Sequence, residues 1–252
     1  MKTINLLKNL IVVFLITFLG GCNSNSARKE SKEIDISFKE ETHNFTEFEK
    51  ELVIDILTDS EKEIRALLPK LPVGIKVIVE IVDWDIDVVG GVTGRAESNT
   101  PPVIMIQVSN TFPGGVVSAI HAGLRSTVYH EFHHLSLGWA IQDNKYIPEI
   151  PIATVIEGLA EVFAEEYTKV IYLENQIPEN INVDDWITEI LALSADADYQ
   201  TWMFQHPDGR TSIGYRTGNY LIKQAMSNSG KTILELSTLS PDELIKLAGY
   251  SY

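Results

Sequence analysis

Cysteine is nearly absent: the chain has 252 residues and one cysteine, Cys22. No disulfide can form within it, so the fold must rest on core packing, with or without a metal. Basic residues are also scarce, 20 Lys and Arg against 35 Asp and Glu, for a formal charge of −15. Such a surface repels phosphate backbones and anionic headgroups, which argues against nucleic acid as a partner. It suits solubility at a cell surface, and alternatively an attraction for cationic substrates. No apolar run is long enough to span a bilayer: Leu10–Leu19 falls short of the roughly 20 residues required. No internal repeat is present, so solenoid and propeller architectures are not expected.

The N-terminus reads as a targeting segment. Lys2 and Lys8 precede the apolar stretch, and Leu19-Gly20-Gly21-Cys22 resembles a bacterial lipobox, in which small residues precede a cysteine that becomes lipidated. The plainer alternative is an incidental thiol near an ordinary cleavage site. The expected organisation is a lipoprotein signal peptide over 1–21, a tether over 22–43 and a domain over 44–252. Within the domain, a sheet-containing part covers about 44–140 and a helical part about 150–252. The expected location is the bacterial cell envelope, outside the cytoplasm, with the membrane contacted through lipid on Cys22.

Apolar residues at helical spacing (Phe48, Leu52, Ile56, Leu57, Ile64, Leu68) predict one or two helices before Pro69 and Pro72. Val73–Trp84 and Val103–Val108 are rich in β-branched residues and predict strands, with Val92–Glu97 between them and a turn at Asn99–Pro102. The expected fold class is α+β, a small mixed or antiparallel sheet followed by a mainly helical C-terminal part. Either Val92–Glu97 or Val103–Val108 is expected to present a free edge to an extended peptide. A helix over Val116–Leu137, broken near Gly123, is followed by one from Ile152 to Tyr172 with Pro151 at its start, and another over Ile213–Met226. Ser240-Pro241-Asp242-Glu243 predicts the start of a last helix.

Three of the six histidines fall in His130-Glu131-Phe132-His133-His134. On a helix, residues four apart share a face, so His130 and His134 are candidates to hold one Zn²⁺. Glu131 beside them is placed to act as general base, taking a proton from a water on the metal. His133 points off that face and suits a surface or supporting role. A hydrolytic zinc site needs a third protein ligand. Leu137 and Ala140 stand where the metzincin pattern requires Gly and His, which excludes that solution. Glu157 is the next candidate: it sits in an apolar run (Ile152, Val155, Ile156, Leu159), where a carboxylate is costly unless paired or metal-bound. Its alternative is a solvated acid on a helix that also carries Glu161, Glu165 and Glu166. Glu161, one turn on, suits a hydrogen bond to the far nitrogen of a ligand histidine. Gly158 is expected to let the two helices approach closely.

His130–His134, Glu157-Gly-Leu-Ala-Glu161, Gly214-Tyr215-Arg-Thr-Gly218-Asn-Tyr220 and Leu239-Ser-Pro-Asp-Glu243 together resemble the predicted zinc-dependent proteases typified by YjaZ, over roughly residues 70–250. The resemblance implies a gluzincin-like, thermolysin-like core, hence a zincin-like metallopeptidase fold. It implies His130, His134 and Glu157 as zinc ligands, Glu131 as the base and a peptide or protein substrate. For the oxyanion donor, Tyr215 is the first candidate, followed by His206 and Tyr220; the alternative is that Tyr215 only packs. A non-catalytic surface lipoprotein that uses the same scaffold to bind a partner is the competing reading, with esterase or amidase chemistry a third. If Cys22 carries lipid, Cys22→Ser abolishes incorporation of labelled palmitate and moves the protein from the membrane to the soluble fraction; unchanged labelling would exclude this anchor.

Overall fold

The structure is a computed structural model that describes residues 34–251. The expected signal peptide and Cys22 lie outside the described residues. The fold is α+β. Its sheet is built by alternation: in β2 (Ile75–Val82) Ile75, Val77 and Val79 are buried while Lys76 is exposed, and in β4 (Pro102–Ser109) Ile104, Ile106 and Val108 are buried. These two strands pair in parallel at the centre. The order is β1-β2-β4-β3, with β1 (Ile34–Lys39) parallel to β2 and β3 (Val92–Asn99) antiparallel to β4. Residues 34–39 therefore belong to the sheet, although they fall in the stretch assigned to a tether. Of the two candidates for a free edge, β3 is the edge strand and β4 is interior.

Helix α1 (Glu47–Leu67) opens with a capping box in which Thr46 and Glu49 satisfy each other's backbone N–H. The expected Val116–Leu137 helix forms in three pieces: α2 (Gly115–Ala119), a π turn (Ile120–Leu124) and α3 (Arg125–Leu137). Gly123 does not break it. It lies in the π turn, where a Cβ would come within 2.8 Å of the Gly90 carbonyl oxygen. Helix α4 (Ile150–Thr168) has Pro151 in its first turn and ends at Lys169, whose φ of +62° stops it short of the expected Tyr172. A short 3₁₀ turn (Leu173–Asn175) follows, then α5 (Val183–Leu191), α6 (Tyr199–Met203), α7 (Ile213–Ser229), α8 (Ile233–Leu236) and α9 (Pro241–Ala248). The expected Ser240 cap is present as a full capping box with Glu243. Asp184 and Asp185 occupy the first turn of α5, where carboxylates oppose the positive helix end.

Two interfaces fix α4. Toward α3 the contact is aromatic: Phe163 packs on Tyr129 and on His133, with ring centroids 5.7 and 5.0 Å apart. Toward α7 the contact is backbone on backbone. A Cβ on Gly158 would sit 2.3 Å from the Gly218 carbonyl, and one on Gly218 would sit 2.0 Å from the Thr154 carbonyl oxygen. Gly158 thus admits α7, not the His130 helix expected to be its neighbour. Because neither backbone can give way cheaply, Gly218→Ala is expected to lower stability by about 1–3 kcal/mol. Urea denaturation measures this; an unchanged midpoint would mean the helices separate at no cost.

Candidate metal centre

Helix α3 delivers His130 and His134 from one face, and α4 delivers Glu157 from its apolar centre. The Nε2 atoms of the two histidines are 2.8 Å apart, and each lies 3.1 Å from Glu157 Oε2. One atom from each residue therefore converges on a point, as three potential metal ligands. A tetrahedral zinc with bonds of about 2.0–2.1 Å would set such atoms about 3.3 Å apart, within about half an ångström of this triangle. Facing imidazole nitrogens at this separation require a proton or a cation between them, so the donor set fits a divalent metal. Glu157 and His134 are both buried, at 4% exposure.

Charge in the site follows the same demand. Burial alone would push the Glu157 carboxyl up, yet His134 and His130 beside it hold it well below the usual carboxylate range. Burial opposes a charge on His130, but Glu161 and Glu157 carry its pKa well above the ordinary value. The centre draws positive charge. Further contacts orient the ligands. His130 Nδ1 faces Glu161 Oε1 at 3.2 Å, and Asn175 Nδ2 donates to the other Glu161 oxygen. A hydrogen bond from Nδ1–H leaves the Nε2 lone pair free for a metal. Glu157 Oε1 accepts from the Trp139 indole at 3.0 Å.

Glu131 is buried between α3 and β3. Burial raises its pKa, with the Ala96 backbone N–H opposing the shift, and its Oε2 has no hydrogen-bond partner among the described residues. Gly94 on β3 makes room for it, since a Cβ there would lie 2.6 Å from Glu131 Cγ. Glu131 and His130 line a cleft of about 260 Å³ together with Thr93, Gly94, Glu161 and Tyr215. Tyr215, at the start of α7, reaches this cleft. Its hydroxyl is kept protonated by burial, with Glu157 and then Tyr199 adding to the upward shift. His206 does not line the cleft; its Nδ1 lies 2.8 Å from Asp208 Oδ1 in the loop after α6. Tyr220, five residues past Tyr215 and so on another face of α7, instead meets Tyr250.

His133 is neither a ligand nor a surface residue. The Ser237 hydroxyl donates to the Ile233 carbonyl at 2.8 Å, so it accepts the His133 Nε2–H at 2.8 Å, and burial holds His133 neutral. Tyr199, Trp139 and Gly94 were not singled out from sequence. Burial raises the Tyr199 pKa, with the nearby Glu157 carboxylate adding to the shift and Tyr215 opposing it. Gly94 carried a signal, because a glycine inside a strand marks a close approach of neighbouring groups.

Two histidines and a glutamate on neighbouring helices, with a further carboxylate in the adjoining cleft, define a protein organised around a candidate divalent-metal centre. A family model described as "Predicted Zn-dependent protease (DUF2268)" matches residues 112–246, more than half of the chain. The chain belongs to this family, as the motifs implied. No curated protein and no solved structure matches it. His134→Ala is expected to lose stoichiometric zinc while His133→Ala retains it, as read by metal analysis of the purified proteins; equal zinc in both would exclude the triad.

Proposed function

We propose that the protein is a zinc-dependent peptidase with a zincin-like core, anchored in the bacterial cell envelope outside the cytoplasm by lipid on Cys22. The observation that carries this reading is the convergence of His130, His134 and Glu157, with His130 and a buried Glu131 both lining the adjoining cleft. The family description supports zinc and proteolysis. Bound there, zinc would supply Lewis-acid activation of a water and of the scissile carbonyl.

The chain's own residues supply the remainder. The edge of β3 at Gly94 offers backbone groups to an extended peptide beside Glu131. Further along, that edge is covered: the carbonyls of Ala96 and Glu97 accept from the backbone of Ile141 and Gln142, both at 3.0 Å. Glu131 takes the proton of the attacking water as the oxygen–carbon bond forms. It returns that proton to the nitrogen as the carbon–nitrogen bond breaks. Tyr215 donates to the oxyanion, with Tyr199 beside it, both kept protonated by burial.

Complete retention of the base favours an enzyme over a binding-only scaffold, which has no use for a buried Glu131. Glu131→Gln preserves shape and removes the proton acceptor. It is expected to keep stoichiometric zinc and to lose about 10²–10⁴-fold in the rate of peptide-library digestion. Full activity in that variant would exclude the mechanism.

A further inference from the structure

Trp139 follows the end of α3 immediately, at a turn made by Gly138 with φ +82°. That turn is closed on a ligand residue: the backbone N–H groups of Gly138 and Trp139 both donate to the His134 carbonyl, at 2.9 and 3.0 Å. The chain is thereby folded back, and the indole is brought under the centre, 8% exposed. Its ring lies 6.5 Å from that of His134 on one side and 6.1 Å from that of Tyr146 on the other. The indole Nε1–H donates to Glu157 Oε1 at 3.0 Å, a contact buried from solvent. Glu157 Oε2 faces the two imidazoles.

We infer that Trp139 is a positioning residue for the metal centre, holding Glu157 so that a single oxygen, Oε2, is presented to the cation. The inference rests on the zinc reading proposed for this site and assigns a role to a residue outside the ligand set. An indole N–H is only a donor, and here it pairs with Oε1. A free carboxylate rotates and can offer either oxygen or both. Occupying Oε1 removes those choices before the metal arrives and leaves room in the coordination sphere for water and substrate. The same bond ties α4 to the end of α3. The spacing between Glu157 and the histidines is therefore set by a contact that survives without the metal.

The test uses the purified wild type beside Trp139→Phe, which keeps the ring and removes the donor. Zinc affinity, measured by competition with a chromophoric chelator, is expected to fall about 10–100-fold. The visible absorption of the cobalt-substituted protein is expected to change, because a freed Glu157 alters the number of donor oxygens. A second measurement does not depend on the variant folding. In wild type labelled with ¹⁵N-tryptophan, the Trp139 indole proton, assigned through its contact with the Tyr146 ring, should exchange slowly with and without zinc and shift when zinc is added. Zinc affinity within twofold of wild type with an unchanged cobalt spectrum overturns the inference, and so does rapid indole exchange in both states. Loss of the role for Trp139 while wild type still binds stoichiometric zinc leaves the metal reading intact. A wild type that binds no zinc removes both.

Discussion

The structure is governed by one buried demand for positive charge. Glu157 sits among apolar residues of α4 at 4% exposure, and its Oε2 approaches two imidazole nitrogens at 3.1 Å. A carboxylate in that position is tolerated only if neighbouring groups replace its lost hydration. The helices must therefore hold their register to within a few tenths of an ångström. Phe163 keys α4 to α3 through Tyr129 and His133, while the Gly158–Gly218 contact presses α7 against its opposite side. Close packing on both sides thus holds the helix that carries this buried charge. The same arrangement brings Tyr215 from the start of α7 into the cleft that Glu131 lines.

Much of this was legible in the sequence because it depends on short-range rules. The four-residue spacing of His130 and His134 needs only the geometry of one helix. Glu157 stood out through its apolar surroundings, which raise the cost of a charge whatever the fold. β2 and β4 were readable from β-branched content, and the start of α9 from the reciprocal chemistry of Ser240 and Glu243. In each case the physical signal lies within a few residues of the feature it predicts.

The features that escaped depend on which elements meet. Gly158 announced a close approach but not its partner, and α7 rather than α3 occupies the space. Tyr199 and Trp139 reach Glu157 from a short helix and from a post-helical turn, positions that no periodicity marks. His206 and Tyr220 had suitable chemistry yet face Asp208 and Tyr250. β1 is short and follows a polar stretch, so its place is set by pairing with β2 rather than by any pattern of its own. Such pairings are tertiary facts, and local composition carries little trace of them.

The π turn at Ile120–Leu124 has a wider bearing on how this rod of helix can vary. A single wide turn acts as one inserted residue and rotates the downstream helix by about 100° relative to the upstream one. One continuous rod can thereby address two strands: α2 packs near β4, and after the change of phase α3 lies against β3. Gly90, next to the cleft-lining residues Val88 and Val89, rests directly on Gly123 in that turn. Angular phase and entrance shape therefore share one mechanical origin. Losing any one residue from this turn would set both out of step, whereas length changes in the surface segments between α4 and α7 leave the phase untouched.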